Sequence, residues 1–67
     1  MSLTAILIKE PDGGYVAQNP ETGTTTQGDS LEEALENLKE ATALYLEEFP
    51  AKTTFPALLT TFEVANA

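Results

Sequence analysis

One stretch constrains this chain more than any other. From Gly28 to Phe49 the residues GDSLEEALENLKEATALYLEEF carry the only helical signal long and regular enough to organise a domain. Ser30 followed by Glu33 is a capping box: the serine oxygen can accept from the Glu33 amide, while the Glu33 side chain reaches back to the Ser30 amide. Leu31, Ala34, Leu35, Leu38, Ala41, Thr42, Tyr45, Leu46 and Phe49 recur at three- and four-residue steps and form one apolar stripe. Pro50 cannot continue the ladder and closes the helix near Phe49. The spacing thus predicts a helix over 31–48, about 27 Å long at 1.5 Å per residue.

A helix with one apolar stripe needs a surface to cover, and the flanking segments read as strands. Residues 3–10, LTAILIKE, are rich in aliphatic and β-branched side chains and too short for a lone helix. Pro11-Asp12-Gly13-Gly14 supplies a turn, residues 15–18 a second strand, Asn19-Pro20-Glu21-Thr22-Gly23 another turn, and residues 24–27 a third strand. After a connector at 50–56, residues 57–64, ALLTTFEV, read as a fourth strand, and 65–67 as a frayed end. Two hairpins followed by a right-handed crossover predict an α+β fold, β-β-β-α-β. The expected sheet is four-stranded and mixed, in order 3-2-1-4, with the helix on one face. Because strands one and four are apolar on both faces, the uncovered face or an edge is expected to be buried in a homodimer or larger homo-oligomer.

Sixty-seven residues bound the chain to one domain, residues 1–67, with no room for a second, DNA-binding one. Without cysteine or histidine, disulfides and the commonest zinc and general-base chemistries are excluded, and no cofactor is expected. Eleven acids against three lysines give a net charge of −8, which repels phosphate backbones and favours a basic partner. No run approaches the roughly 18 apolar residues of a membrane span, and the N-terminus lacks the basic start and cleavage site of a secretory signal. The expectation is a cytoplasmic protein.

The candidate binding residues lie opposite the apolar stripe. Glu32, Glu33, Glu36, Glu40 and Glu47, with Glu48, make an acidic helix face, and Leu44 interrupts it as an apolar contact point. Such a face is either a solvated surface or one that steers and masks a basic protein. Catalysis by clustered carboxylates is not expected: residues 3–8 hold no acid, and Glu10, Glu63 and the helix acids cannot readily converge. The four glycines belong to turns, because none precedes a phosphate-binding lysine pattern.

A family resemblance enters on residues 14–48. Gly14-Tyr15 with Ala17, Pro20-Glu21, Gly23, and Gln27-Gly28-Asp29-Ser30 leading into Glu32-Glu33-Ala34, Asn37 and Glu40-Ala41 together resemble the HicB antitoxins. The pattern covers about half the chain; at Thr24 many members of that family carry cysteine instead. The resemblance implies a partial RNase H-like fold in the strand order just derived. It also implies the role of a type II antitoxin that binds and neutralises HicA, a small basic toxin that cleaves messenger RNA. The alternative is a solitary structural or regulatory homo-oligomer of the same fold with no toxin partner.

Overall fold

The structure is a computed structural model that describes residues 2–50 and 55–65. Part of the expected connector, 51–54, and of the expected frayed end, 66–67, lies outside them. Three strands and one helix follow in order: β1 (Ile6–Lys9), β2 (Tyr15–Asn19), β3 (Thr24–Gly28) and α1 (Leu31–Glu48). The helix has the bounds its periodicity predicts. β1 is shorter at both ends than the apolar run that announces it, and β2 and β3 each extend one residue beyond expectation.

The sheet is antiparallel throughout, in order β1-β2-β3. Here the fourth-strand expectation is corrected: residues 57–64 form no strand, so the sheet is three-stranded and not mixed. At the start of that segment the Ala57 amide donates to Glu21 Oε2 at 2.9 Å. Beyond this tether Leu58 is 97% and Phe62 84% exposed, so the segment lies along no strand of its own sheet.

Register explains which side chains form the core. Leu7 pairs with Ala17, and Ala17 with Thr26, so these three stand in one row across the sheet. This row faces the helix: Ala17, Ala34 and Leu38 are the buried cluster, with Ala5, Leu7 and Tyr15 packed against it. Thr26 Oγ1 donates to the Ala34 carbonyl at 3.1 Å, and Asn37 Nδ2 donates to the Gln27 carbonyl at 2.7 Å. Both bonds fix α1 over β3. Gly28 permits the closest approach, since a Cβ there would lie 2.4 Å from the Ala34 nitrogen. Thr42, a polar member of the apolar stripe, is buried with its hydroxyl donating to the Leu38 carbonyl at 2.8 Å.

The helix cap follows half of its expected scheme. Ser30 Oγ accepts from the Glu33 amide at 3.1 Å, but Glu33 Oε1 accepts from the Asp29 amide, one residue earlier than the capping box predicts. Tyr45 and Phe49, expected in the core from their place on the stripe, are 39% and 59% exposed. A helix of 18 residues is about 27 Å long, whereas strands of four or five residues span roughly 17 Å. The last turns of α1 therefore overrun the sheet, and the two rings pack on each other at 5.1 Å.

Candidate functional site

Two surfaces of α1 are available for function. The first is the acidic face. Glu32, Glu33, Glu36, Glu40, Leu44 and Glu47 are all exposed, as their spacing requires. At 100° per residue the five acids and Leu44 fall within one arc of roughly 120°, opposite buried Ala34 and Leu38. Leu44 is 59% exposed within this arc. One cation answers the acids from the helix itself, Lys39, whose Nζ lies 3.2 Å from Glu36 Oε1 in an exposed pair. Such a pair contributes about 0–1 kcal/mol and leaves the face strongly negative.

The second surface is apolar. The helix packs chiefly over β3 and β2 and meets β1 least. Between α1 and the segment entering β1 this leaves an open groove of about 410 Å³, lined by Leu3, Ala5, Leu35, Leu38, Thr42 and Leu46 among others. Among the described residues the outer edge of β1 is unpaired, because its one sheet neighbour there is β2.

A polar cluster closes one end of this groove, and its central residues, Asn19, Glu21 and Thr22, read in the sequence as turn chemistry alone. Asn19 is almost fully buried at the end of β2. Its Nδ2 donates to the Thr4 carbonyl at 2.7 Å and to Glu21 Oε1 at 2.6 Å. Its Oδ1 accepts from the Thr22 amide at 2.8 Å and the Thr22 hydroxyl at 2.6 Å. Every donor and acceptor of that amide is used. Glu21 then gathers four donors: the Thr4 amide (2.8 Å) and Asn19 Nδ2 on Oε1, and the Thr4 hydroxyl (2.6 Å) and Ala57 amide (2.9 Å) on Oε2. The Thr4 hydroxyl, then the Thr4 and Ala57 amides, hold the Glu21 carboxyl down to about 2 from 4.5. The one legible signal was Pro20-Glu21, an acid in a turn whose neighbours are uncharged.

A further polar depression, lined by Glu10, Asp12, Tyr15, Gln27, Asp29 and Glu33, lies at the opposite end of the sheet. Among the described residues no group of three or more acids is placed to hold a metal ion. Glu63, weighed above with Glu10 as a strand carboxylate, is exposed and outside any strand.

Comparison with known proteins places the chain in a family. Residues 4–64 match DUF7387, described as a family of unknown function. The chain belongs to this family. As a DUF7387 member it is also similar to small proteins that carry the designation UPF0150. It is 48% identical over 50 residues to UPF0150 protein ssr1765 of Synechocystis sp., covering 73% of this chain and 63% of that protein. Over 48 residues it is 46% identical to UPF0150 protein Ta0767 of Thermoplasma acidophilum, covering 70% of each chain. A UPF0150 protein of Archaeoglobus fulgidus is 44% identical over 48 residues, again with 70% of each covered. No solved structure matches the chain. No helix among the described residues is long and apolar enough to cross a membrane.

Proposed function

We propose that this DUF7387 chain is an antitoxin-like binding protein of the HicB kind. It captures a small basic HicA-type toxin in the cytoplasm and neutralises its cleavage of messenger RNA. The observation that carries this reading is the exposed acidic arc of Glu32, Glu33, Glu36, Glu40 and Glu47 around Leu44. A ribonuclease that binds RNA needs a basic surface, and a rigid helical row of carboxylates competes with phosphate for it. Leu44 supplies an apolar contact inside the charged field, where desolvation makes contacts count most. The resemblance over residues 14–48 supports the same reading, as does the observed strand-strand-strand-helix order. The partial RNase H-like fold that the resemblance implies would be completed by a fourth strand beside β1, which residues 57–64 do not supply within their own chain.

The test is recovery of the tagged protein from its own host at low and moderate salt, with mass spectrometry of small proteins that accompany it. The expected result is a basic partner that is lost when Glu32, Glu36, Glu40 and Glu47 are changed together to Gln. Stability of that variant should be essentially unchanged, because the four positions are solvent-exposed. A partner retained by the Gln variant, or recovery without a basic protein at either salt, overturns the reading.

The solitary homo-oligomer is the second reading, and a different observation favours it. Phe55, Leu58, Leu59, Phe62 and Val64 are all large, apolar and exposed.

A further inference from the structure

We propose that residues 57–64 are an arm exchanged between two copies of this chain. Each arm adds as a fourth strand to the outer edge of β1 in the other copy and fills the groove between α1 and the segment entering that β1. The inference does not rest on a toxin partner. It concerns a face of the molecule other than the acidic arc.

Donor and acceptor are both present in one chain and unmatched within it. The donor is ALLTTFEV, a run of strand-favouring residues that forms no strand, with Leu58 97%, Leu59 61%, Phe62 84% and Val64 64% exposed. The acceptor is the outer edge of β1, which has no sheet partner on that side among the described residues, together with the 410 Å³ groove between α1 and residues 3–5 that lead into β1. An added strand pairs its backbone with the edge and presents alternate side chains inward. The inward set would meet Ala5, Leu35 and Leu46, which line the groove.

The tether on Glu21 decides the geometry of exchange. By holding the Ala57 amide, Glu21 starts the arm at the end of the sheet where Thr4 enters β1. From there the arm leaves its own chain. The Cα radius of gyration is 13.7 Å, against about 11 Å for a compact chain of this length, and the longest dimension is 44 Å. A two-fold arrangement lets each projecting arm reach the other copy's β1 and closes the assembly at two chains.

Area and charge favour a second copy as the occupant. A buried phenylalanine covers about 150–250 Å². Two arms, each with one phenylalanine, two leucines and a valine, thus carry apolar surface enough for the roughly 1,000 Å² of a specific interface. Two chains of charge −8 repel if they meet through their acidic helix faces. The arm holds a single charge, Glu63, and is the approach along which that repulsion is least.

The chain has no cysteine, so single-cysteine variants report contacts cleanly. Chains carrying Ile8→Cys and Thr60→Cys, both at exposed positions, are mixed, refolded together and treated with a short bismaleimide, and the linked peptides are read by mass spectrometry. The expected product joins position 8 of one chain to position 60 of another. Light scattering on the unmodified chain should give twice the monomer mass, falling twofold in Phe62→Asp while helical circular dichroism is retained. A monomer mass for the unmodified chain overturns the proposal. So does a dimer whose mass survives Phe62→Asp and which yields no link between positions 8 and 60. So does a chain carrying both cysteines that links only within itself.

Discussion

The two flanks of α1 make the instructive comparison. On the β3 side the helix is sealed to the sheet: Gly28 removes every side-chain atom from the contact, Thr26 and Asn37 bond across it, and Ala17, Ala34 and Leu38 are fully or nearly fully buried. On the β1 side the same helix leaves a groove against residues 3–5, next to a strand edge that is unpaired among the described residues. Small residues account for the first flank, because alanine and glycine let backbones approach until polar groups on both elements can bond. Larger side chains, Leu35 and Leu46 among them, line the second flank and hold it apart. A domain this small buries limited apolar area, and much of what it buries lies on the sealed flank.

Leu38→Ala tests the difference most strongly. This side chain is buried in the core cluster with Ala17 and Ala34 and only its edge lines the groove, so its truncation should cost about 2–5 kcal/mol, enough to unfold much of the population in a thermal melt. Leu46→Ala, on the open flank, should cost well under half of that in the monomer. Equal losses at the two positions would show that the groove is already filled. Gly28→Ala sharpens the same contrast from the strand side. Its Cβ would collide with backbone atoms of Ala34, and a loss of about 3 kcal/mol, the upper range for overpacking, is expected in urea titration.

The smallest effect concerns the Glu21 cluster that closes the groove. Its folded carboxyl is held near 2, below the ordinary 4.5, so its contribution to stability is complete above about pH 4.5. That contribution declines as pH falls from there and is gone below about 2, where the folded carboxyl too is protonated. Glu21→Gln should therefore flatten the dependence of melting temperature on pH between 5 and 2 by a modest amount. A profile unchanged by the substitution would show that the four donors do not act on this group in solution.

Much of this was legible from residue order. Ser30, the three-four spacing from Leu31 to Leu46, and Pro50 define the helix, because capping and periodicity are local properties. The outward placement of Glu32, Glu36, Glu40 and Glu47 follows from the same period. Asn19 and Glu21 were hidden, since Asn-Pro-Glu reads as turn chemistry. That the asparagine is buried and the glutamate gathers Thr4 and Ala57 depends on contacts 15 and 36 residues apart in the chain. Tyr45 and Phe49 misled for a related reason: periodicity names the face of a helix and says nothing of how far the sheet beneath it extends.

The sequence by itself determined the helix, the first three strands and their order, the antiparallel hairpins and the side of the helix that faces water. Each follows from interactions within a few residues or from the alternation of polar and apolar side chains. Only the tertiary structure decided where the helix lies across the sheet and that residues 57–64 stand apart from β1. Residues 57–64 have the composition of a strand, but composition supplies no partner. Whether such a segment pairs depends on where the chain brings it, and here a carboxylate 36 residues away holds its first amide.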